Sequence, residues 1–181
     1  MDPWDVVASR LEIDDPPWLR VRRDTVRRSN GDEHGYWVIE QGPWVQIAAI
    51  TAGDEVVFVR QYRHAAGRVG LELPGGYADE EEPLVAAKRE LLEETGYGGG
   101  EWRPLLRLAP NPALMNNELH VFLATGVEIV ADPSPEEREE LEVELHPRGS
   151  IGDLIESGAV FHALHVPALM KLASESLRAP S

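Results

Sequence analysis

The chain has 181 residues, enough for one domain with a small N-terminal extension, and its 43% hydrophobic content suffices for a packed core. A formal net charge of −15 excludes a general binder of nucleic-acid backbones, which needs a basic stripe; eight of the 32 acidic residues fall between Glu72 and Glu94 and read as one local site. The lack of cysteine excludes a disulfide framework, a thiolate zinc site and a cysteine nucleophile; with no apolar run near the ~18 residues of a membrane span and no signal-peptide pattern at Met1-Asp2-Pro3-Trp4, a cytoplasmic protein without a membrane partner is expected.

Trp18 to Val26 alternates through Leu19, Val21 and Thr25, and Asn30-Gly31 turns the chain toward Tyr36-Trp37-Val38-Ile39. This predicts an N-terminal β-hairpin or meander, assigned to residues 1–43 as an extension ahead of a main domain over 44–181. Trp44 to Ile50 and Glu55 to Tyr62 read as central strands joined at Ala52-Gly53-Asp54, and Leu71-Glu72-Leu73 as a short alternating strand ending in Pro74-Gly75-Gly76. Trp102 to Leu108 and Glu118 to Ala124 read as further strands, and Ile151 to Glu156 and His162 to Leu177 as helices. Mixed strands with helices on both faces predict an α/β/α sandwich with a mixed sheet. The six histidines show no metal-ligand spacing apart from a weak His162/His165 pair, which reads as packing or surface residues.

The segment between these strands carries the chemistry. Pro83 suits the first turn of a helix, Asp79 and Glu80 to Glu82 sit at its positive end, and Gly96 suits a left-handed stop. Leu84, Ala87 and Leu91 are expected to form its inward stripe. In such a helix Glu90, Glu93 and Glu94 stand at i, i+3 and i+4, on one face about one turn apart. Three crowded carboxylates repel one another. A hard cation with oxygen ligands removes that penalty, and Mg2+ takes only a few carboxylates besides water and phosphate oxygens. The Gly-rich turn ahead of the helix lets backbone groups approach such a site closely.

Gly75, Glu81, Arg89, Glu90, Leu91, Glu93, Glu94 and Gly96, spread over the 23 residues from Gly75 to Tyr97, resemble the Nudix box, with Tyr97 a departure at its last apolar position. The resemblance implies a Nudix-type α/β/α sandwich over 44–181 as a catalytic domain, preceded by the N-terminal β-extension. It implies a metal-dependent pyrophosphohydrolase with Mg2+, or Mn2+ in its place, held by Glu90, Glu93 and Glu94 and a backbone carbonyl of Gly75 or Gly76. Arg89 and Glu81 then take supporting roles that orient the ligand helix.

Beyond the box, Pro17-Trp18-Leu19, Asn30-Gly31, Arg60-Gln61-Tyr62-Arg63, Glu72-Leu73-Pro74-Gly75-Gly76 and Pro112 about fifteen residues after the box are similar to Nudix hydrolases of ADP-ribose and nucleoside diphosphate sugars. A nucleoside diphosphate sugar is therefore the expected substrate, split into a nucleoside monophosphate and a sugar phosphate. The acidic run from Pro135 to Glu144 resembles that group's catalytic loop, which points to Glu137 as base and Glu139 as a further metal-facing carboxylate, with Glu118 the competing base and Glu93 catalytic through the metal. Arg63 is suited to a phosphate contact. Trp18, Tyr36 and Trp37 are candidates to stack on the base, and Pro112 marks the substrate-binding loop. The N-terminal strands resemble those exchanged between subunits of dimers in this group, so a homodimer is expected. The alternatives are a nucleoside triphosphate or dinucleoside polyphosphate pyrophosphohydrolase, and a non-catalytic nucleotide-sugar sensor, which the intact carboxylate set disfavours.

Overall fold

The computed structural model describes residues 2–16, 18–78, 80–135 and 140–176. The chain divides into two units, Met1–Pro43 with Leu108–Glu118, and Trp44–Arg107 with Leu119–Ser181. The first unit is a three-stranded antiparallel sheet in the order β1 (Asp5–Asp15), β2 (Leu19–Arg27) and β3 (Glu33–Glu40). The turn expected at Asn30-Gly31 links β2 to β3, with Gly31 N–H donating to the Arg28 carbonyl at 2.9 Å. The strand β1 has no counterpart in the sequence reading, and it is exposed along nearly its whole length, Val6, Val7, Leu11 and Ile13 included. Arg22 pairs with both Asp24 and Glu40, tying β2 to β3. The segment after Leu108 joins β3 through an Ile39–Met115 bridge and a 2.7 Å bond from the Tyr36 hydroxyl to the Ala113 carbonyl.

The second unit holds an eight-stranded sheet: β4 (Trp44–Thr51), β5 (Glu55–Arg63), β6 (Arg68–Glu72), β7 (Gly75–Tyr77), β8 (Tyr97–Gly98), β9 (Glu101–Leu108), β10 (Leu119–Ile129) and β11 (Leu141–Pro147). Its main path runs β11-β5-β4-β10-β8, with β6 on β5, β7 on β4 and β9 on β10. The pairing of β10 with β4 is parallel, while β4 pairs antiparallel with β5 and β7, so the sheet is mixed. Side chains alternate along β4 and set the layers. Val45, Ile47 and Ala49 join the core cluster with Ala86, Ala87 and Leu91 of helix α1 (Pro83–Thr95). Gln46, on the opposite face, bonds His165 of helix α3 (His165–Ser176), against which the short helix α2 (Ile151–Glu156) packs. Helices thus cover both faces, as the expected α/β/α sandwich requires. No helix among the described residues is long and apolar enough to cross a membrane.

The helix α1 starts and stops where local chemistry directs. Pro83 occupies its first turn, and Gly96 ends it at φ 73° with its N–H donating to the Leu92 carbonyl. A side chain at Gly96 would also run into the Ala131 carbonyl at 2.3 Å. The inward stripe differs from the expected one: Ala86, Ala87 and Leu91 are fully buried, but Leu84 is 37% exposed. The buried face also takes in Glu94 and Thr95, so the helix is rolled toward its carboxylates and leaves Leu84 on the rim. That roll brings one carboxylate of the box into the protein interior.

Candidate active site

Two glycines bring the turn before α1 against the box carboxylates. Gly75 N–H donates to Glu94 Oε2 at 3.0 Å. At Gly76, an added Cβ would lie 2.6–2.7 Å from the Glu90 carboxyl atoms, a gap only glycine keeps open. At Gly75 the same atom would meet the Val45 carbonyl oxygen at 2.2 Å, because this turn pairs with β4. Glu90 and Glu94 therefore lie against the Gly75-Gly76 turn, while Glu93 stays more open to solvent.

Arg89 binds the same group of acids. Its Nε donates to Glu81 at 2.9 Å, Nη1 to Glu93 at 2.9 Å and Nη2 to the Tyr77 carbonyl at 3.1 Å, and Nη1 lies 3.0 Å from Glu90. Burial opposes the charge on Arg89, but the bonds to Glu81 and Glu93 and the charges of Glu90 and Glu93 outweigh it and raise its pKa. One guanidinium offsets much of the repulsion that three crowded carboxylates generate. An all-oxygen set of two carboxylates beside a glycine turn, with a third next to them, fits Mg2+ or Mn2+.

A cavity of about 390 Å³, within the range of small-ligand sites, opens beside this turn. It is lined by Gly75, Gly76 and Glu94 on one side and by Arg63, Glu72 and His162 on another. Glu72 is 1% exposed, which makes it the most secluded acid of the site. Arg63 grips it with both Nε (2.9 Å) and Nη2 (2.6 Å). The Nε2 atom of His165 lies 3.1 Å from Glu72 Oε2, and Nδ1 of His162 lies 3.5 Å from the same oxygen. Burial alone would favour the neutral acid, but the bonds from Arg63, His162 and His165 prevail and hold the Glu72 carboxyl well below the usual range.

The tautomer of His165 follows from its partners. Leu73 N–H (3.1 Å) and the Gln46 side-chain amide (2.6 Å) both point at Nδ1. The lone pair is therefore on Nδ1, and in the neutral ring the hydrogen is on Nε2, which lies 3.1 Å from Glu72 Oε2 and 3.0 Å from His162 Nδ1. Burial lowers the pKa of this ring in spite of the carboxylate, so the neutral form is favoured. Glu72, His162 and His165 bring three ligand atoms within 4.8 Å of one another, a spacing a cation can bridge. The donor set argues against one there: a metal-bound histidine gives its second N–H to an acceptor, whereas Nδ1 of His165 receives two donors, and a guanidinium already faces the carboxylate.

The structure therefore brings Gly75, Gly76, Glu94 and Arg63 to one cavity, with Glu90, Glu93, Arg89 and Glu81 joined to it through the hydrogen bonds above. His162 and His165, expected as packing or surface residues, both line the cavity, because the segment before α3 is pinned to β6. Leu71 N–H donates to the Ala159 carbonyl at 2.9 Å, and the Phe161 ring occupies the space over Gly70. Glu72 carried one signal in the sequence, an acid flanked by leucines in a strand otherwise fit for the core. Trp18, Tyr36, Trp37 and Pro112 belong to the first unit and are not among the described lining residues. Arg23 stacks over Trp37 at 5.4 Å, and Trp18 is exposed. Glu118 is exposed, and Glu137 and Glu139 lie outside the described residues.

Residues 40–169 match the family described as NUDIX domain. The chain is 36% identical to an ADP-ribose pyrophosphatase of Mycobacterium tuberculosis over 121 residues, 66% of this chain and 58% of that protein. It is 31% identical to a GDP-mannose pyrophosphatase of Salmonella typhimurium over 166 residues, 86% of this chain and 87% of that one. The match thus spans less than two thirds of the mycobacterial relative and most of the Salmonella one. A crystal structure of an ADP compounds hydrolase superposes with a TM-score of 0.84 at 23% identity, covering 98% of this chain and 96% of that one, and so shares its fold.

Proposed function

The chain belongs to the NUDIX domain family, and on that premise we propose that it hydrolyses the diphosphate bond of a nucleoside diphosphate sugar, with Mg2+ as cofactor and Mn2+ as its substitute. The observation that carries this reading is the closure of the Gly75-Gly76 turn onto Glu90 and Glu94, beside a cavity that also contains a fixed arginine. The relatives named for ADP-ribose and GDP-mannose hydrolysis support the substrate class.

Glu90, Glu93, Glu94 and a carbonyl of the Gly75-Gly76 turn would hold the metal. When bound, it neutralises diphosphate charge and lowers the pKa of an attacking water. Arg89 keeps Glu93 and Glu81 in register with the turn through Tyr77. Arg63, braced by Glu72, contributes a cation of fixed direction to a phosphate oxygen. Glu137, with Glu139 beside it, is our candidate to take the proton from water. Addition of water across the P–O–P bridge then yields a nucleoside monophosphate and a sugar phosphate. For the first unit, we infer a role in homodimer formation, supported by the apolar exposure of β1.

The experiment is a substrate panel with Mg2+ and with Mn2+, covering ADP-ribose, GDP-mannose, nucleoside triphosphates and dinucleoside polyphosphates. Glu93→Gln should lower turnover of the preferred nucleoside diphosphate sugar by roughly 100- to 1,000-fold, the scale of losing one transition-state contact. Retained turnover in that variant overturns the metal assignment, and preference for a triphosphate overturns the substrate class.

A further inference from the structure

His165 is a buried polar side chain to which the chemistry above gives no task. It is 4% exposed, at the first residue of α3. The packing of α3 does not need it, since Ala168, Leu169 and Leu172 already form a fully buried inner face. An imidazole in that place costs desolvation unless both ring nitrogens are satisfied. Both are, and by different parts of the site.

Nδ1 accepts from Leu73 N–H at 3.1 Å. A backbone N–H can only donate, so this contact fixes the ring whatever the neighbouring side chains do. Leu73 leads directly into Pro74-Gly75-Gly76, where the Pro74 carbonyl accepts from Ile47 N–H at 2.8 Å and Gly75 N–H reaches Glu94. Nδ1 therefore holds the strand end from which the metal turn departs, and the Gln46 amide ties the same nitrogen to β4. Nε2 carries the ring hydrogen. It has Glu72 Oε2 at 3.1 Å and His162 Nδ1 at 3.0 Å, and the charged oxygen is the stronger acceptor. Glu72 in turn holds Arg63 through two bonds. One rigid ring thus connects the metal turn through one nitrogen with the phosphate arginine through the other.

We propose that His165 is a positioning residue that keeps the metal turn and Arg63 in register, Nδ1 acting on the turn and Nε2 on the arginine. The inference rests on the hydrolase reading above and adds to it a residue that touches neither metal nor substrate. The two tasks are separable by substitution. The amide oxygen of asparagine takes the place of Nδ1, and the amide nitrogen of glutamine takes the place of Nε2.

The test compares the full-length parent with His165→Asn and His165→Gln in two binding measurements. Mn2+ affinity is read from the loss of its free-ion EPR signal, and ADP affinity by calorimetry in saturating Mg2+. His165→Asn keeps the acceptor for Leu73 N–H and loses the donor to Glu72. It should bind ADP about 5-fold more weakly, the scale of one hydrogen bond, with Mn2+ affinity within about two-fold of the parent. His165→Gln keeps the donor and loses the acceptor, and should show the reverse pattern. Glu72→Gln, which preserves the shape of the side chain, should repeat the pattern of His165→Asn. The affinity each variant retains also reports that it is folded. Parallel loss of both affinities in the two His165 variants, unfolding included, makes His165 a packing residue and overturns the proposal. Retention of both affinities in both variants overturns it as well. Failure of the hydrolase reading is separate: it is absence of turnover of every nucleoside diphosphate sugar by the unsubstituted protein.

Discussion

At the residue scale the site depends on where a Cβ is forbidden and what would meet it. Gly76→Ala places a methyl 2.6–2.7 Å from the Glu90 carboxyl, the far end of a flexible side chain that can move aside. The fold should survive, with a melting temperature within a few degrees of the parent, while kcat/KM drops at least about 10-fold as Glu90 is displaced. Gly75→Ala meets the Val45 backbone carbonyl instead, at 2.2 Å, and cannot be relieved by a rotamer change. It should destabilise by about 1–3 kcal/mol in denaturant titration. Similar behaviour of the two variants in both assays contradicts this division of roles. The box was legible because its spacing is local: helix start, helix stop and the carboxylate face follow from residues a few positions apart. The position of Leu84 was not, because the roll of α1 is set by what it packs on, and a buried Glu94 is not something an apolar stripe announces.

At the element scale, the connection into α3 holds the far wall of the cavity. The Phe161 ring lies where a Cβ on Gly70 would be, 2.3 Å away, and Arg68 stacks on that ring at 4.3 Å. Gly70→Ala should push this segment off β6, lowering stability by about 1–3 kcal/mol and raising KM more than it lowers kcat, which thermal melting and steady-state kinetics resolve. The anchor of α3 also links stability to pH. His165 has an ordinary pKa of 6.5 that burial lowers in the folded state, so its contribution is complete above that value and is lost as pH falls toward the folded pKa. Glu72, ordinarily 4.5 and lowered by its three partners, contributes above that value and loses its contribution below it. Both act in one direction. The unfolding free energy from denaturant titration should fall as pH is taken from 7.5 to 5, with a slope of at most about 1.4 kcal/mol per pH unit for each proton taken up. A flat or rising profile contradicts the buried neutral imidazole. Beyond the acid set between Leu71 and Leu73, none of this is legible in the sequence: Glu72 and His165 meet across 93 residues, and the two histidines lack the spacing of a metal motif. The strand β1 escaped notice for another reason. Both of its faces are exposed, and its apolar–polar alternation is confined to Arg10 to Asp14, through Leu11 and Ile13, with Val6-Val7-Ala8 breaking it.

At the scale of the whole molecule, an edge strand with exposed Val6, Val7, Leu11 and Ile13 favours pairing with a second copy. Light scattering after size exclusion should give twice the monomer mass of 20.1 kDa, and a fully active monomer contradicts the inferred dimer. The central claim concerns which bond is cut. Its most direct measurement is 31P NMR of the products formed from ADP-ribose and from GDP-mannose with Mg2+. The account predicts equal amounts of nucleoside monophosphate and sugar phosphate. Release of inorganic phosphate or pyrophosphate, or no change in either spectrum, would contradict it.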